Sequence, residues 1–537
     1  MNLIKVLFTY RPTSKPEPFV LSNAPMAAFD IRSEKRIKKE YVRADINENL
    51  AYVRLRFSVP LNNDVIIREI KLRDGRVGFV LFYDGMVLGE YINNNIIKSL
   101  LELSPNSDAT DAELYQSLTT NSQAMAEQDM DKIVDNVNFG SCALFVDGID
   151  TAFLFDVRGW EHRGIEKPEN EQSIYGPQEA FAEMLRTNTA LIRKSVKTEK
   201  LIALGCTLGK ESKTAGVLLY IDDIANAKLV HEVKRRLDGI AADYIMNVEQ
   251  VQSLIGDKQL LFTPQMLATE RSDRAARALT EGRCVFLLNG SPRALIMPSG
   301  FFELTHSASD EYLNVPYVIM SRIIRMIGML FALLLPAVYI AMTLYHQEII
   351  PTYLLYSISA SRENVPFPSV VEMLLMDISF ELIREAGLRM PSPVGSTLGI
   401  VGGLILGQAA VSAKIVSPIM IIIIAITGIG SFETVDYSLG WTHRSLRLCF
   451  VFMAAVFGFF GIAVGVVLYA LYLGSINTFG VPFISPVFKA RSRSMVSPLF
   501  ANTPQRRERR PGYLKTKRPI SAPRVSRRWQ IKTDHKK

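Results

Sequence analysis

Residues 365–391, VPFPSVVEMLLMDISFELIREAGLRMP, set Glu372, Asp377, Glu381, Arg384 and Glu385 in an otherwise apolar run. Carboxylates so placed do one of two things. They neutralise a partner cation, or they draw cations into a path through an apolar layer, where charge is costly and usually functional. Prolines at 366 and 368 suit a helix start, and Gly387 with Pro391 suits its end, so a helix is expected over 366–388. At about 100° per residue, Asp377, Glu381, Arg384 and Glu385 share a stripe about 100° wide. Glu372 falls on the opposite side, among Val371, Met376 and Ile383. The stripe fits an amphipathic or re-entrant helix at a membrane, its acids facing water or an ion path. Glu372 fits either a salt-bridged or snorkelled carboxylate or an ion-pathway carboxylate, and both readings stay open.

The flanking segments call for a membrane. The chain has 537 residues and a hydrophobic fraction of 48%, and the apolar excess lies after Arg325. Residues 326–345, 390–413, 415–432 and 448–488 hold no charge. A helix needs about 20 apolar residues to cross the hydrocarbon core, so four spans are expected, at about 326–345, 394–413, 415–432 and 448–473. In the second, Gly395, Gly399, Gly403 and Gly407 recur every four residues on one face. Such a row permits close helix approach or assembly between copies. Gln408 adds a polar group that needs a partner in lipid, and joins the candidate ion-pathway or gating residues.

Charge sets the expected orientation. No signal peptide is visible near the N-terminus, so residues 1–315 are expected on the side of synthesis. Residues 476–537 hold 16 Lys/Arg against Glu508 and Asp534, which reads as a loosely attached basic tail kept in the cytoplasm rather than as a nucleic-acid binder. The expected path crosses outward over 326–345, inward over 394–413, turns at Lys414 in the cytoplasm, goes outward over 415–432 and returns over 448–473. That places 433–447 outside and both termini inside.

The N-terminal half looks duplicated. VGFVLFYDGMVLGEYINNNII (77–97) resembles AGVLLYIDDIANAKLVHEVKR (215–235) at an offset of 138. GSCALFVDGIDTAFLFD (140–156) resembles GRCVFLLNGSPRALIMP (282–298) at an offset of 142. Each of the second pair reads as a hairpin, turning at Asp147-Gly148 or Asn289-Gly290. The expected fold class is therefore an α/β soluble region of two related subdomains followed by an α-helical membrane domain. The expected divisions are an extension 1–44, subdomains 45–165 and 177–315, a linker 166–176, a membrane domain 316–475 and the basic tail 476–537.

Catalytic and cofactor chemistry is poorly represented. GCTLGKES (205–212) resembles a phosphate-binding loop, but its glycine spacing is one short and Glu211 follows Lys210. The six histidines show no metal-ligand spacing, and Cys142, Cys206, Cys284 and Cys449 form no CxxC pair. No cofactor, metal or enzymatic role is called for. A tethered enzyme or nucleotide sensor stays an alternative that an activity screen of 45–315 would detect.

Across residues 50–490 the chain resembles the A-subunits of spore germinant receptors (GerA type). HQEIIPTYLLYSISASRENVPFPSVVEMLLMDISFELIREAGLRMP (346–391) carries most of the resemblance. LGQAAVSAKIVSP (406–418), GPQEAF (176–181), RTNTALIRK (186–194), TERSDRAARALTEGR (269–283) and NGSPRALIMP (289–298) extend it. Ser272 stands where the family usually has proline, and Ala180 where it has glycine. The resemblance implies an inner-spore-membrane protein working with a permease-like B-subunit and a lipoprotein C-subunit. It implies a homo-oligomer forming a ligand-gated cation channel in the lipid bilayer, with no nucleic-acid partner. A modulating sporulation paralogue and a scaffold without conductance are the alternatives.

Overall fold

The computed structural model describes Leu21, residues 40–159 except 73–74 and 103–123, residues 167–389 except 169–170, 172, 174 and 258–262, residues 403–485 except 404, and residues 509–521. The N-terminal extension, Gly395 and Gly399 lie almost wholly or wholly outside these.

Two five-stranded antiparallel sheets form the soluble region. The first contains β1 (Val65–Lys71), β2 (Val77–Tyr83), β3 (Ala124–Glu127), β4 (Cys142–Val146) and β5 (Ala152–Phe155), in the order β1-β2-β4-β5-β3. The second contains β6 (Leu201–Leu208), β7 (Thr214–Ile221), β8 (Leu267–Thr269), β9 (Cys284–Leu288) and β10 (Ala294–Met297), in the order β6-β7-β9-β10-β8. The two units are the same fold. The strands expected to correspond, 77–83 and 215–221, occupy the same second position in their sheets. Both expected hairpins form, and Gly148 (φ 82) and Gly290 (φ 83) supply the left-handed backbone their turns need. Strands β4 and β9 are buried throughout because helices cover both sheet faces. Cys142 and Cys284 open these strands, fully buried, and burial pushes both thiols up, Cys284 to about 12. They are core side chains and not nucleophiles.

Helix α1 (Leu185–Ser195) ties the units together. Its Arg193 reaches Asp64 of the first unit at 2.5 and 2.8 Å, donates to Asn62 at 3.0 Å, and lies 4.0 Å above the Tyr83 ring. In the near-phosphate loop the N–H groups of Lys210, Glu211 and Ser212 are taken by the carbonyls of Ala242 and Asp243.

The C-terminal region is a helical bundle. It comprises α2 (Val315–Leu344), α3 (Thr352–Arg362), α4 (Ser369–Arg389), helical residues 405–412, α5 (Pro418–Phe432) and α6 (Tyr437–Ser475). Among the described residues two helices, Val315–Leu344 and Tyr437–Ser475, are long and apolar enough to cross a membrane. The second is folded in two. Gly458 has φ 59 and ψ −141, and the helix reverses there. A Cβ added at Gly461 would meet the Met453 carbonyl, and one at Gly465 would lie 2.7 Å from the Phe450 ring. The Tyr469 hydroxyl and His443 Nε2 are 3.2 Å apart, whereas 26 residues of straight helix would separate them by about 39 Å.

This reversal corrects the expected path. The stretch 448–473 is not one crossing but parts of two antiparallel legs, 437–457 and 459–475. The loop after α5 is not at the far end of the bundle. Glu433 and Thr434 line a cavity with Phe302, Thr305 and His306 of the second α/β unit, so 433–436 lies at the sheet side. The Lys414 turn lies at the far end, where Lys414 Nζ is 3.3 Å from Asn364. A single lysine is a weak orienting signal, and the two arginines of 433–447 are taken up in pairs with acids of α4. Helix α4 runs beside α5 in the same direction: Glu372 meets Ser417, Phe380 packs on Gly428, and Arg384 bonds Ser431. It therefore descends from the far end to the sheet side and is not a surface helix. Among the described residues five legs result, α2, α4, α5 and the two halves of α6, and the two ends of the bundle still lie on the sheet side; most of the expected span 394–413 lies outside the described residues.

The basic tail is also corrected in part. Residues 509–521 dock on the second unit. Leu514 is fully buried, Lys515 accepts from Asn226 at 2.9 Å through its carbonyl, and Arg518 meets Asp223 at 2.6 Å. Docking uses the tail's positive charge on the acids after β7, which composition alone does not reveal.

Candidate functional site in the helical bundle

Helix α4 carries the expected acids, and the structure gives each a partner. Asp377 takes both arms of Arg447, at 2.6 and 3.2 Å. Glu381 accepts from Arg444 at 2.7 Å. Glu385 is half-buried one turn further on. The acids sit at i and i+4, the arginines at i and i+3 on the first leg of α6, and the two helices run in opposite directions. The rungs therefore stack into a ladder across one helix interface. Arg384 donates to Ser431 at 2.6 Å and lies between the rings of Phe380 and Phe432, 5.2 and 4.8 Å from their centroids.

Glu372 is fully buried on the other face of α4. Arg362 approaches one oxygen at 3.3 Å, and the Ser417 N–H donates to the other at 2.9 Å. Ser417 is the N-cap of α5, so the carboxylate also sits at the positive end of that helix. This is the salt-bridge reading of Glu372, with a helix terminus added. It holds α3, α4 and α5 at one point.

In this conformation Asp377 and Glu381 are neutralised by partners that are themselves almost buried. Such pairs are costly to desolvate and costlier to break, because either partner alone leaves a buried charge. Among the described residues several buried polar atoms of these helices have no hydrogen-bond partner: Glu381 Oε2, Arg384 Nε and His443 Nδ1. The site is thus a polar seam through an apolar bundle, with spare bonding capacity.

The seam is fixed to the α/β units at the sheet side. Asp310, on a 3-10 turn after β10, receives Arg322 at 2.9 Å and Arg325 at 3.1 Å, both from the first turns of α2. Burial alone would raise the Asp310 carboxyl, but the two guanidiniums hold it below its ordinary value. Arg274 joins the linker to the same corner, reaching Glu171 at 2.6 Å and the carbonyls of Glu303 and His306 at 2.9 and 3.0 Å.

The other expected residues lie apart from the seam. Gln408 is exposed, and open space lies where a side chain at Gly403 would project. Gly407 packs on Ile421 at an ordinary 3.7 Å. The arginine rungs Arg444 and Arg447 are not among the residues singled out from sequence, because the expected path places 433–447 outside the bundle. Their i, i+3 spacing opposite the i, i+4 acids was the available signal.

The family model described as Bacillus/Clostridium GerA spore germination protein matches residues 52–513. The chain belongs to this GerA family. It is 38% identical over 464 residues to Spore germination protein KA of Bacillus subtilis (strain 168), covering 86% of this chain and 84% of that one. It is 36% identical over 455 residues to Uncharacterized membrane protein YfkQ of the same organism, covering 84% and 88%. It is 36% identical over 457 residues to Spore germination protein GerLA of Bacillus cereus, covering 85% and 93%. The crystal structure of the N-terminal domain of the A subunit of the Bacillus megaterium spore germinant receptor GerK3 aligns with 49% of this chain and 99% of its own, at 23% identity and a TM-score of 0.37. The GerA match spans both α/β units, the helical bundle and the first residues of the docked tail.

Proposed function

We propose that this GerA-family chain is the A-subunit of a spore nutrient germinant receptor, and that its bundle belongs to an oligomeric, ligand-gated path for monovalent cations. The expected partners are a permease-like B-subunit and a lipoprotein C-subunit in the inner spore membrane, with the α/β units and the docked tail on the core side. Family membership supports the germination role. The observation that carries the gating reading is the paired seam Asp377–Arg447 and Glu381–Arg444. Paired, the seam presents no net negative charge to a cation. Parting α4 from the first leg of α6 frees two carboxylates, the chemistry a cation path uses. Asp310 and its two arginines give the soluble units a rigid hold on α2, which packs on both α5 and α6.

The glycine row adds an assembly surface. Among the described residues nothing occupies the space off Gly403, and a neighbouring copy packing on that face is the proposed use of Gly395, Gly399, Gly403 and Gly407. Gly403→Leu is then expected to block assembly and leave the single chain folded, read by size-exclusion chromatography in detergent.

The germination role is tested by removing the reading frame. Spores without the chain are expected to lose the cation release that one nutrient triggers, and to regain it on complementation. Unchanged responses to every nutrient, with cognate B- and C-subunit genes intact, would instead favour the modulating paralogue.

A further inference from the structure

Helix α3 has no charged residue before its last, Arg362, and the three residues preceding it have none. Yet it hides little: Tyr353 is 92% exposed, Tyr356 70% and Leu354 50%, and Ile358 is its one buried residue. On the helix wheel Tyr353, Tyr356 and Ala360 lie within about 60° of one another, opposite Ile358. One face is therefore seated on the bundle and the other, a tyrosine face, is exposed among the described residues.

The position of α3 decides what meets that face. It joins two legs, following α2 through the turn Gln347–Ile349 and preceding α4 by six residues. Arg362 at its end is tied to Glu372 in the first turn of α4. The helix is thereby held at the depth where the legs leave the apolar layer. A face in bulk water would carry charge, and a face in hydrocarbon would carry Leu, Ile, Val or Phe. Tyrosine beside serine and alanine suits the boundary, where a ring has an apolar body and a wet hydroxyl.

Resting on the membrane reading of the bundle, we infer that α3 lies in the phospholipid headgroup region of the far leaflet, with Tyr353 and Tyr356 as its lipid-contacting residues. The bilayer is the occupant the observations favour, because exposed apolar residues flank α3 in sequence on both sides, Leu344 at 40% and Ile349 at 58% before it and Phe367 at 39% and Val371 at 41% after it, and the middle of α2 also exposes apolar residues, Phe331 at 45%.

Spin labels test this in the full chain. Its four cysteines are replaced by alanine, and single cysteines are introduced by Tyr353→Cys, Tyr356→Cys or, as a membrane control, Phe331→Cys. The labelled protein is placed in vesicles of phosphatidylethanolamine and phosphatidylglycerol, and collision with oxygen is compared with collision with a water-soluble nickel chelate. The expected result is an oxygen-favoured ratio at 353 and 356, lower than at 331. A nickel-favoured ratio at 353 and 356 places α3 in water, and exclusion of both reagents means that protein covers it. Either overturns the inference while 331 still reads as lipid. If 331 also favours nickel, the membrane reading itself fails.

Discussion

Asp377 and Arg447 stand 70 residues apart in sequence and meet through two contacts, at 2.6 and 3.2 Å, inside an apolar bundle. Both side chains are almost buried, 9% and 3% exposed. Asp377→Asn alone leaves the Arg447 charge without its partner, and a loss of about 3–5 kcal/mol is expected. Asp377→Leu with Arg447→Met removes both charges and should restore most of it. Denaturation in a mild detergent measures the difference, and equal losses in the single and double variants would mean that the pair is not coupled.

The reversal at Gly458 predicts which residues share a side. In sealed vesicles, cysteines at positions 434 and 475 should react with an impermeant reagent from the same face, and a cysteine at 457 from the opposite face. A single straight crossing over 448–473 would separate 434 from 475. Gly458→Ala should itself cost about 1–3 kcal/mol, because alanine disfavours φ 59, and its Cβ would press on His346 and Tyr345 at 3.0 and 3.2 Å.

The docked tail should stabilise the second α/β unit. Leu514 is fully buried, and the Tyr513 hydroxyl lies 2.9 Å from both Arg283 and Glu303. Leu514→Ala is expected to cost about 2–5 kcal/mol. Limited proteolysis should then cut within 509–521 faster than in the parent. An unchanged cleavage rate would show that the tail adds nothing to the unit.

Asp310 gives the junction a pH dependence of known sign. Its folded carboxyl titrates below its unfolded value, about 3.9. The clamp's stabilisation is therefore fully present above that value and is lost as pH falls through the lower folded one. Asp310→Asn should flatten this part of the acid limb of the stability curve, measured by thermal unfolding as pH is lowered from neutrality through the unfolded value, about 3.9. A limb of unchanged slope would exclude Asp310 as its source.

The duplicated α/β units were legible in sequence because strand and hairpin patterns are local. The offset pairs 77–97 with 215–235 and 140–156 with 282–298 report sheet positions directly. The bundle was legible as apolar, but its path was not. Gly458 lies within GFFG and looks like any glycine in an apolar helix, and only contacts across the fold, such as Phe450 on Gly465, show that the helix turns back. The acids of α4 were found from their spacing, whereas their role depends on Arg444 and Arg447, which are distant in sequence. The expectation that the stripe faces water failed locally, because a partner helix offered arginines where solvent was assumed.

The gating role of the seam is most directly tested by potassium flux from vesicles holding equal amounts of inserted full chain. If Asp377 lines the path and Arg447 occludes it, Arg447→Gln should raise potassium flux above the parent and Asp377→Asn should lower it, with chloride flux unaltered in both. Changes in the same direction, or no change in either folded variant, would contradict a cation gate at this pair.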